Sequence, residues 1–562
     1  MNNLKQKYIS SAFLLLVSSV VVKAISAVYK IPLTAYIGAT GRGYFTMAYN
    51  LYMPIHAVIM GAFPVAISHL VSKYNEKQDS AKIYSLKKAS NRLFFLVGVI
   101  GTIFMILFAK PYAEIISSSP KSIYTIYVLA PTVLFSSLAA SQRSFAEGYM
   151  NMSPTSVSQI IEALFKVVFG LLFARLSLNY LYGLYASNGV VLGVACGSEE
   201  EAFSVIYPLT SAAAMGGVTV GAVFSFIYVW LYNSVKYNSH KIDKNYKTTD
   251  SLKEILNFSA PIIVSTIIQS VSTFFDNSSV QYCLSLCDAN ELKNAYANCI
   301  QISGTNDNDL VTYIYGIFSA ASDFKNLIPG FTMALGVAAV PAISASYEMN
   351  NTERLSTLSN SIFKYTSVIA FGCGFYLSVC SPYILGILYN SSNKDIVYGC
   401  ENLVKYFGFT IIFYCLSGTV IYAVQAIGCA KKSIPSFVVS AVLRVLINYI
   451  MVSNARYNLY GAVVSGAVGY AVILVSNLYI FKKYSNIEYK LNIIIFKPLI
   501  CSVLSYFVTK FLFNAFFIVG NVFVCFIIVS FIYFSVFTVL LFLSKTIGCS
   551  ELKIFYSCKK MA

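Results

Sequence analysis

The feature that most constrains this chain is repetition. Runs of about 20 apolar residues recur from end to end, parted by short polar connections. A helix rising about 1.5 Å per residue needs about 20 such residues to cross roughly 30 Å of hydrocarbon. Fourteen spans are expected, the first seven near 9–34, 44–72, 92–116, 122–142, 154–175, 206–233 and 255–280. The second seven fall near 311–346, 361–390, 403–428, 434–453, 459–481, 492–513 and 520–544. A soluble alternative fails on charge, since only 11% of the 562 residues are charged where soluble domains carry about 25%. The fold class is an all-α polytopic membrane protein.

The net charge of +17 does not point to nucleic acid, because the cations sit in short loops on alternate sides of the spans. KYNEKQDSAKIYSLKKASNR (73–92) and KYNSHKIDKNYKTTDSLK (236–253) are the main basic stretches. The opposite loops carry Glu199, Glu200, Glu201, Asp288, Glu291, Asp307 and Asp309. That imbalance puts both termini in the cytoplasm. MNNLKQK leads straight into a full-length span, so the first segment is expected to be retained. With one tryptophan, Trp230, the interfacial belts must come mainly from the 43 tyrosines. Most cysteines lie in apolar runs; Cys283 and Cys287 are close enough to be linked, but nothing requires it. His56, His69 and His240 make no metal spacing, and GATGRGY (38–44) lacks the strand and lysine of a phosphate loop. No cofactor is expected.

An internal echo runs through the chain six spans apart. GAFPVAISHLVSKY (61–74) resembles GVAAVPAISASYEM (336–349), and EGYMNMSPTSVSQ (147–159) resembles QAIGCAKKSIPSF (425–437). GGVTVGAVFSFIYVWLY (216–232) resembles YGAVVSGAVGYAVILVSNLY (460–479). The pairs fall on the same membrane face, which implies a parallel repeat of two six-helix lobes. The expected division is 1–235, 250–484 and an added pair of helices with a tail at 485–562. The glycines at 216–221 and 461–469 are read as close-packing positions rather than ligand contacts.

Charges inside the spans carry the functional signal. Lys405, Lys497 and Lys510 lie near span ends, where a lysine can reach the headgroups. Lys23, Lys30, Lys166, Lys325 and Arg444 lie deeper, each costing around 2.5–3.5 kcal/mol at a helix centre on insertion scales. Glu162 and Lys166 are four residues apart with the acid first, the better order for a helical ion pair. Asp323 and Lys325, two apart, address different neighbours, and Asp276 has no opposite charge one turn away. Five deep bases against three acids leave a positive surplus. Either interhelical pairing and shallow depth absorb it, or it lines a path for an anion. Arg42, on the outer side, is a topological exception or the rim of that path.

Several segments together resemble a family. KAISAVYKIPLTAYIGATGRGYFTMAYNLYMPIHAVIMGAFPVAISHLV (23–71) is similar to the opening of the stage V sporulation protein B group. SFAEGYMNMSPTSVSQIIEALFKV (144–167), with Gln159, Glu162 and a base at 166, is similar to its fourth-to-fifth connection. LKEILNFSAPIIVSTIIQSVSTFFD (252–276), YG (315–316) and VPAIS (340–344) resemble its seventh and eighth spans. The group sits in the multidrug/oligosaccharidyl-lipid/polysaccharide exporter superfamily. The resemblance implies two six-helix lobes plus two helices, and alternating access of a central cavity. It also implies transport of an undecaprenyl-pyrophosphate-linked sugar, such as a peptidoglycan precursor, across the bacterial cell membrane. On that reading Lys23, Lys30, Arg42 and Lys166 meet the pyrophosphate, with Lys325 and Arg444 in support. Glu162 holds Lys166, with Gln159 beside it, while Asp276 and Asp323 couple to Na⁺, H⁺ or lobe movement. A drug/cation antiporter would need a carboxylate-rich cavity. A membrane glycosyltransferase or ligase would need acidic catalytic residues on a sizeable loop.

Overall fold

The computed structural model describes residues 2–61, 63–237, 248–389, 393–516 and 521–546. Helix dominates, because long apolar segments in lipid must satisfy every backbone group within themselves. The chain opens with α1 (Asn2–Gly61), α2 (Phe63–Glu76), α3 (Ser80–Pro111) and α4 (Ile123–Gly148). Next come α5 (Ser153–Asn188), α6 (Glu199–Lys236) and α7 (Thr248–Ser285). Two short helices, α8 (Ala289–Ala295) and α9 (Ala297–Ser303), lead to α10 (Leu310–Glu348) and α11 (Thr352–Tyr389). The chain continues through α12 (Lys394–Ala426), α13 (Ile434–Ile447), α14 (Leu459–Ser485), α15 (Lys497–Phe516) and α16 (Val522–Leu543).

Among the described residues, twelve helical segments are long and apolar enough to cross a membrane, and a bent pair in α7 makes thirteen. That pair, Thr248–Ala260 and Ile262–Ser285, is bent by 48° at the position of Pro261. The first segment, Val21–Glu76, is 56 residues long. At 1.5 Å per residue it reaches about 84 Å, more than two bilayer cores. Gly38 interrupts it with φ 63° and ψ −177°, a conformation open to glycine and costly for other residues. Among the described residues the count is thus twelve or thirteen, close to the fourteen expected. The outward faces are apolar, as lipid contact requires: Leu107 in α3 and Phe531 in α16 are 68% and 73% exposed.

The connection between the fifth and sixth spans is shorter than their expected edges at 175 and 206 imply. α5 continues to Asn188 and α6 begins at Glu199, so only a tight hairpin, Val190–Val191 paired with Val194–Ala195, separates them. Leu192 and Gly193 at its tip both take positive φ, as a mirror-image turn needs. Ser198 caps α6 by accepting from the Glu201 amide, and Glu199, Glu200 and Glu201 occupy its first turn. Those acids therefore also answer the positive end of the helix dipole. Cys283 and Cys287 are thiols, not a bridge, with Cys287 Sγ directed at the Cys283 carbonyl at 3.8 Å.

By packing, the chain divides into two compact units, Met1–Ser319 and Ala320–Ala562. α7 and the first turns of α10 thus pack within the first unit, whereas the repeat assigns both to the second lobe. Within the first unit α5 lies against α6 and α6 against α4, with hydroxyls between helices. Ser90 meets Ser141 at 2.7 Å, and Thr132 meets Thr219 at 2.8 Å. Within the second unit α11 packs on α12, α15 and α16, and Tyr533 Oη donates to the Gly372 carbonyl at 2.8 Å. Lys497 Nζ reaches the Ser544 carbonyl at 2.7 Å, at the end of its span as anticipated. The echoed segments 147–159 and 425–437 share a design. Each begins a helix with proline in the first turn, after a residue of positive φ, Met150 or Gly428.

Candidate functional site

Glycines decide where the charged helices can meet. A Cβ on Gly217 would collide with the backbone of Gly170, and one on Gly221 would lie 2.6 Å from the Glu162 carbonyl. α5 and α6 therefore touch along their backbones, and Ser225, one turn past Gly221, faces the same seam. Arg143 enters this seam from α4. Its Nε donates to Ser158 Oγ at 2.8 Å, and its Nη2 to Ser225 Oγ at 2.5 Å and Glu162 Oε2 at 2.7 Å. The Arg143 side chain is 6% exposed and that of Glu162 32%. His56 of α1 lies within electrostatic reach of both, its ring 5.1 Å from that of Tyr52.

This corrects the local pair. Glu162 is engaged by Arg143, across a turn, rather than by Lys166 on its own helix. The guanidinium brings several donors in one plane, which a flexible ammonium cannot match. Lys166 remains within electrostatic reach of Glu162, but its ammonium lies over the rings of Tyr29 and Tyr49, 5.5 and 5.7 Å from their centroids. Gly170 makes room for Tyr29, whose hydroxyl a Cβ there would strike. Gln159, Glu162 and Lys166 follow at helical spacing on α5, all half-buried.

The bases of α1 gather at the same place. Arg42 and Lys166 both lie within electrostatic reach of Lys30. Thr34 Oγ1 donates to the Lys30 carbonyl at 2.6 Å and accepts from Arg42 Nη1 at 2.7 Å, which links the two basic positions through one hydroxyl. Arg42 is buried, and its Nη2 approaches the Ser319 carbonyl at 3.5 Å. The break at Gly38 is what lets residues on either side of it share one site. Lys23 is exposed, two turns before Lys30 on the same helical face.

Asp276 of α7, half-buried, lies within electrostatic reach of Tyr315. Tyr315 Oη accepts from Asn50 Nδ2 at 2.6 Å, and Asn277 Nδ2 points to Asn50 Oδ1 at 3.4 Å. In the second unit Lys325 lies over the Phe407 ring at 5.2 Å, and Asp323 is half-buried two residues earlier. Arg444 of α13 is buried with its guanidinium carbon 4.1 Å from the Tyr470 centroid. A Cβ on Gly469 would collide with the Arg444 side chain, so that glycine packs against a cation rather than a helix backbone.

Arg143 is the residue sequence reasoning missed. The fourth span was expected to end at 142, which left Arg143 as one more loop cation; α4 instead runs to Gly148 and buries it. A signal was present: a carboxylate in an apolar span needs a cation, and the sequence around 143 places one beside the turn leading to Glu162.

Comparison with known proteins gives a consistent placement. The model of a polysaccharide biosynthesis protein family matches residues 9–197, and that of the MatE family matches 316–450. The chain is 22% identical over 512 residues to lipid II flippase MurJ of Bacillus subtilis (strain 168), covering 87% of this chain and 85% of that protein. It is 20% identical over 500 residues to stage V sporulation protein B of the same organism, covering 87% and 86%. Among solved structures, lipid II flippase MurJ in an inward closed conformation matches with a TM-score of 0.66 at 15% identity. That match covers 94% of this chain and 98% of the other. An inward-facing multidrug resistance MATE family transporter of the MOP superfamily matches at 0.60 and 16%, covering 82% and 99%. The structural matches establish the fold.

Proposed function

We propose that the chain is a member of the multidrug/oligosaccharidyl-lipid/polysaccharide exporter superfamily that flips a lipid-linked oligosaccharide. The cargo is an undecaprenyl-pyrophosphate-linked sugar, with lipid II the leading candidate, moved from the inner to the outer leaflet by alternating access. The supporting observation is the convergence of Lys30, Arg42 and Lys166, with Glu162 engaged by Arg143. Had Lys166 been Glu162's hydrogen-bonded partner, its charge would be spent locally. Held over two tyrosine rings instead, it keeps an ammonium to offer a phosphate oxygen. Lys23 extends the basic face along α1, and Lys325 and Arg444 are basic positions within the second unit.

The termini are cytoplasmic on this reading, and the membrane is a bacterial plasma membrane. An inside-negative potential favours outward movement of an anion by roughly 2.3 kcal/mol per charge per 100 mV. Coupling to Na⁺ or H⁺ through Asp276 or Asp323 adds to that drive. A drug/cation antiporter fits less well, because Lys30, Arg42, Arg143 and Lys166 set four bases against two acids, Glu162 and Glu147. The test is complementation of a strain depleted of its own lipid II flippase, with lipid II exposure on the outer leaflet as readout. Lys30→Ala and Lys166→Ala should reach the membrane at normal levels and fail to complement. Full complementation by both would remove the anion site.

A further inference from the structure

Outside the charged seam, the first unit contains two further carboxylates held in the same manner at opposite ends of α7. Glu254, in the second turn of α7, accepts from Tyr74 Oη at 2.8 Å and lies 3.2 Å from Lys82 Nζ and 3.6 Å from Lys73 Nζ. Ser85 and Ser251 join the same helices at 2.9 Å. About 27 residues further on, roughly 40 Å along a helix, Gln281 Nε2 donates to the Ser117 carbonyl at 2.6 Å. Beside it Asp309, immediately before α10, accepts from Tyr44 Oη at 2.7 Å and from Lys121 Nζ at 3.1 and 3.2 Å. Ser119 and Thr312 meet there at 2.7 Å.

We propose that Glu254 and Asp309 are the two latches of an alternating closure, one at each end of the first unit, released in turn. This rests on the reading of the chain as a transporter and not on its cargo. Each latch has the same parts: one carboxylate, lysine, and one tyrosine hydroxyl. In both, the carboxylate stands on α7 or at the start of α10, the elements the repeat assigns to the second lobe. The tyrosines and the lysines at 73 and 82 stand on α1 to α3, and Lys121 stands on the short turn just before α4. A repeat that moves as a lobe must carry these carboxylates away from their partners at one end or the other.

The chemistry suits a latch better than a permanent staple. The side chains of Lys73 and Lys121 are 43% and 36% exposed, so water reaches the lysine side of each pair, while those of Glu254 and Asp309 are 27% and 5% exposed. Each lysine brings one flexible ammonium, whereas Arg143 holds Glu162 with a planar guanidinium that also donates to two serines. Glycines let the Asp309 end close fully. A Cβ on Gly43 would strike the Thr312 carbonyl, and one on Gly316 would strike that of Ala39. The YG pair at 315–316 thus supplies a hydroxyl for Asn50 and a smooth contact for α1.

Cysteine pairs report each end directly, in the full-length protein in native membranes. Ser85→Cys with Ser251→Cys reads the Glu254 end, and Ser119→Cys with Thr312→Cys reads the Asp309 end. Disulfide formation under a mild oxidant is followed as the linked peptide. Glu254→Gln should slow the first cross-link roughly fivefold and leave the second unchanged or faster; Asp309→Asn should do the reverse. Each cross-link, once formed, should abolish complementation, and a reductant should restore it. Equal slowing of both cross-links by either variant, no change in either rate, or full activity with a cross-link in place would overturn the proposal. Reciprocal cross-linking rates in a protein that fails to export lipid II would support the latches and refute the cargo.

Discussion

α5 against α6 and α13 against α14 occupy equivalent places in the repeat, yet they bury charge in different ways. The first seam holds both signs, with Glu162 and Arg143 joined and two serines completing the guanidinium's bonds. The second holds Arg444 flat on Tyr470, in space that Gly469 leaves open. Backbone contact is the use of Gly217 and Gly221 in one seam; accommodation of a cation is the use of Gly469 in the other. The lesson is that helix pairs echoed in the sequence can put their glycines and buried charges to different uses. An ion pair locks a position through directional hydrogen bonds, whereas an aromatic face holds a cation loosely enough for an anion to recruit it.

That contrast can be broken most forcefully at Arg143. Arg143→Ala leaves the Glu162 carboxylate without its main partner and should cost about 3–5 kcal/mol, read as thermal unfolding of the purified protein. Arg143→Met combined with Glu162→Gln should cost less than the single change; equal losses would mean the pair is not what holds the seam. Gly469→Ala should come next, at about 1–3 kcal/mol from overpacking against Arg444. Helix propensity favours alanine by about 1 kcal/mol, so a stabilised variant would show that Arg444 simply moves aside. Adding Arg444→Ala should recover most of the loss. The smallest effect is expected from Tyr470→Leu, about 0.5–2 kcal/mol from the lost cation–ring contact, measured on the same unfolding curve. A drop as large as that for Arg143→Ala would erase the distinction between the seams.

Much of the membrane architecture was legible because lipid imposes a simple rule: about 20 apolar residues per crossing, with charge confined to connections. Deep charges such as Lys30 and Lys166 stood out against that rule, and the echoed proline turns at 154 and 435 were visible as motifs. Partnership was not legible. Glu162 has a base four residues on, which local reasoning favours, but its hydrogen bond goes to Arg143, nineteen residues back. Arg42 looked like a loop residue because nothing local says that the break at Gly38 keeps both flanks helical and buries it. The attachment of α7 to α1, α2 and α3 was equally hidden, since Glu254 finds its partners some 180 residues earlier.

The order of amino acids by itself determined that this chain lives in a membrane, that it crosses many times, and that costly charge is retained inside it. Those properties follow from solvent, length and hydropathy, which each segment carries alone. Which cation neutralises Glu162, which are left to face a cargo, and which carboxylates bind the two ends of α7 were decided only in three dimensions. Hydrogen bonds and ion pairs act over about 3 Å, and the distance between two residues along a chain says little about whether folding will bring them that close.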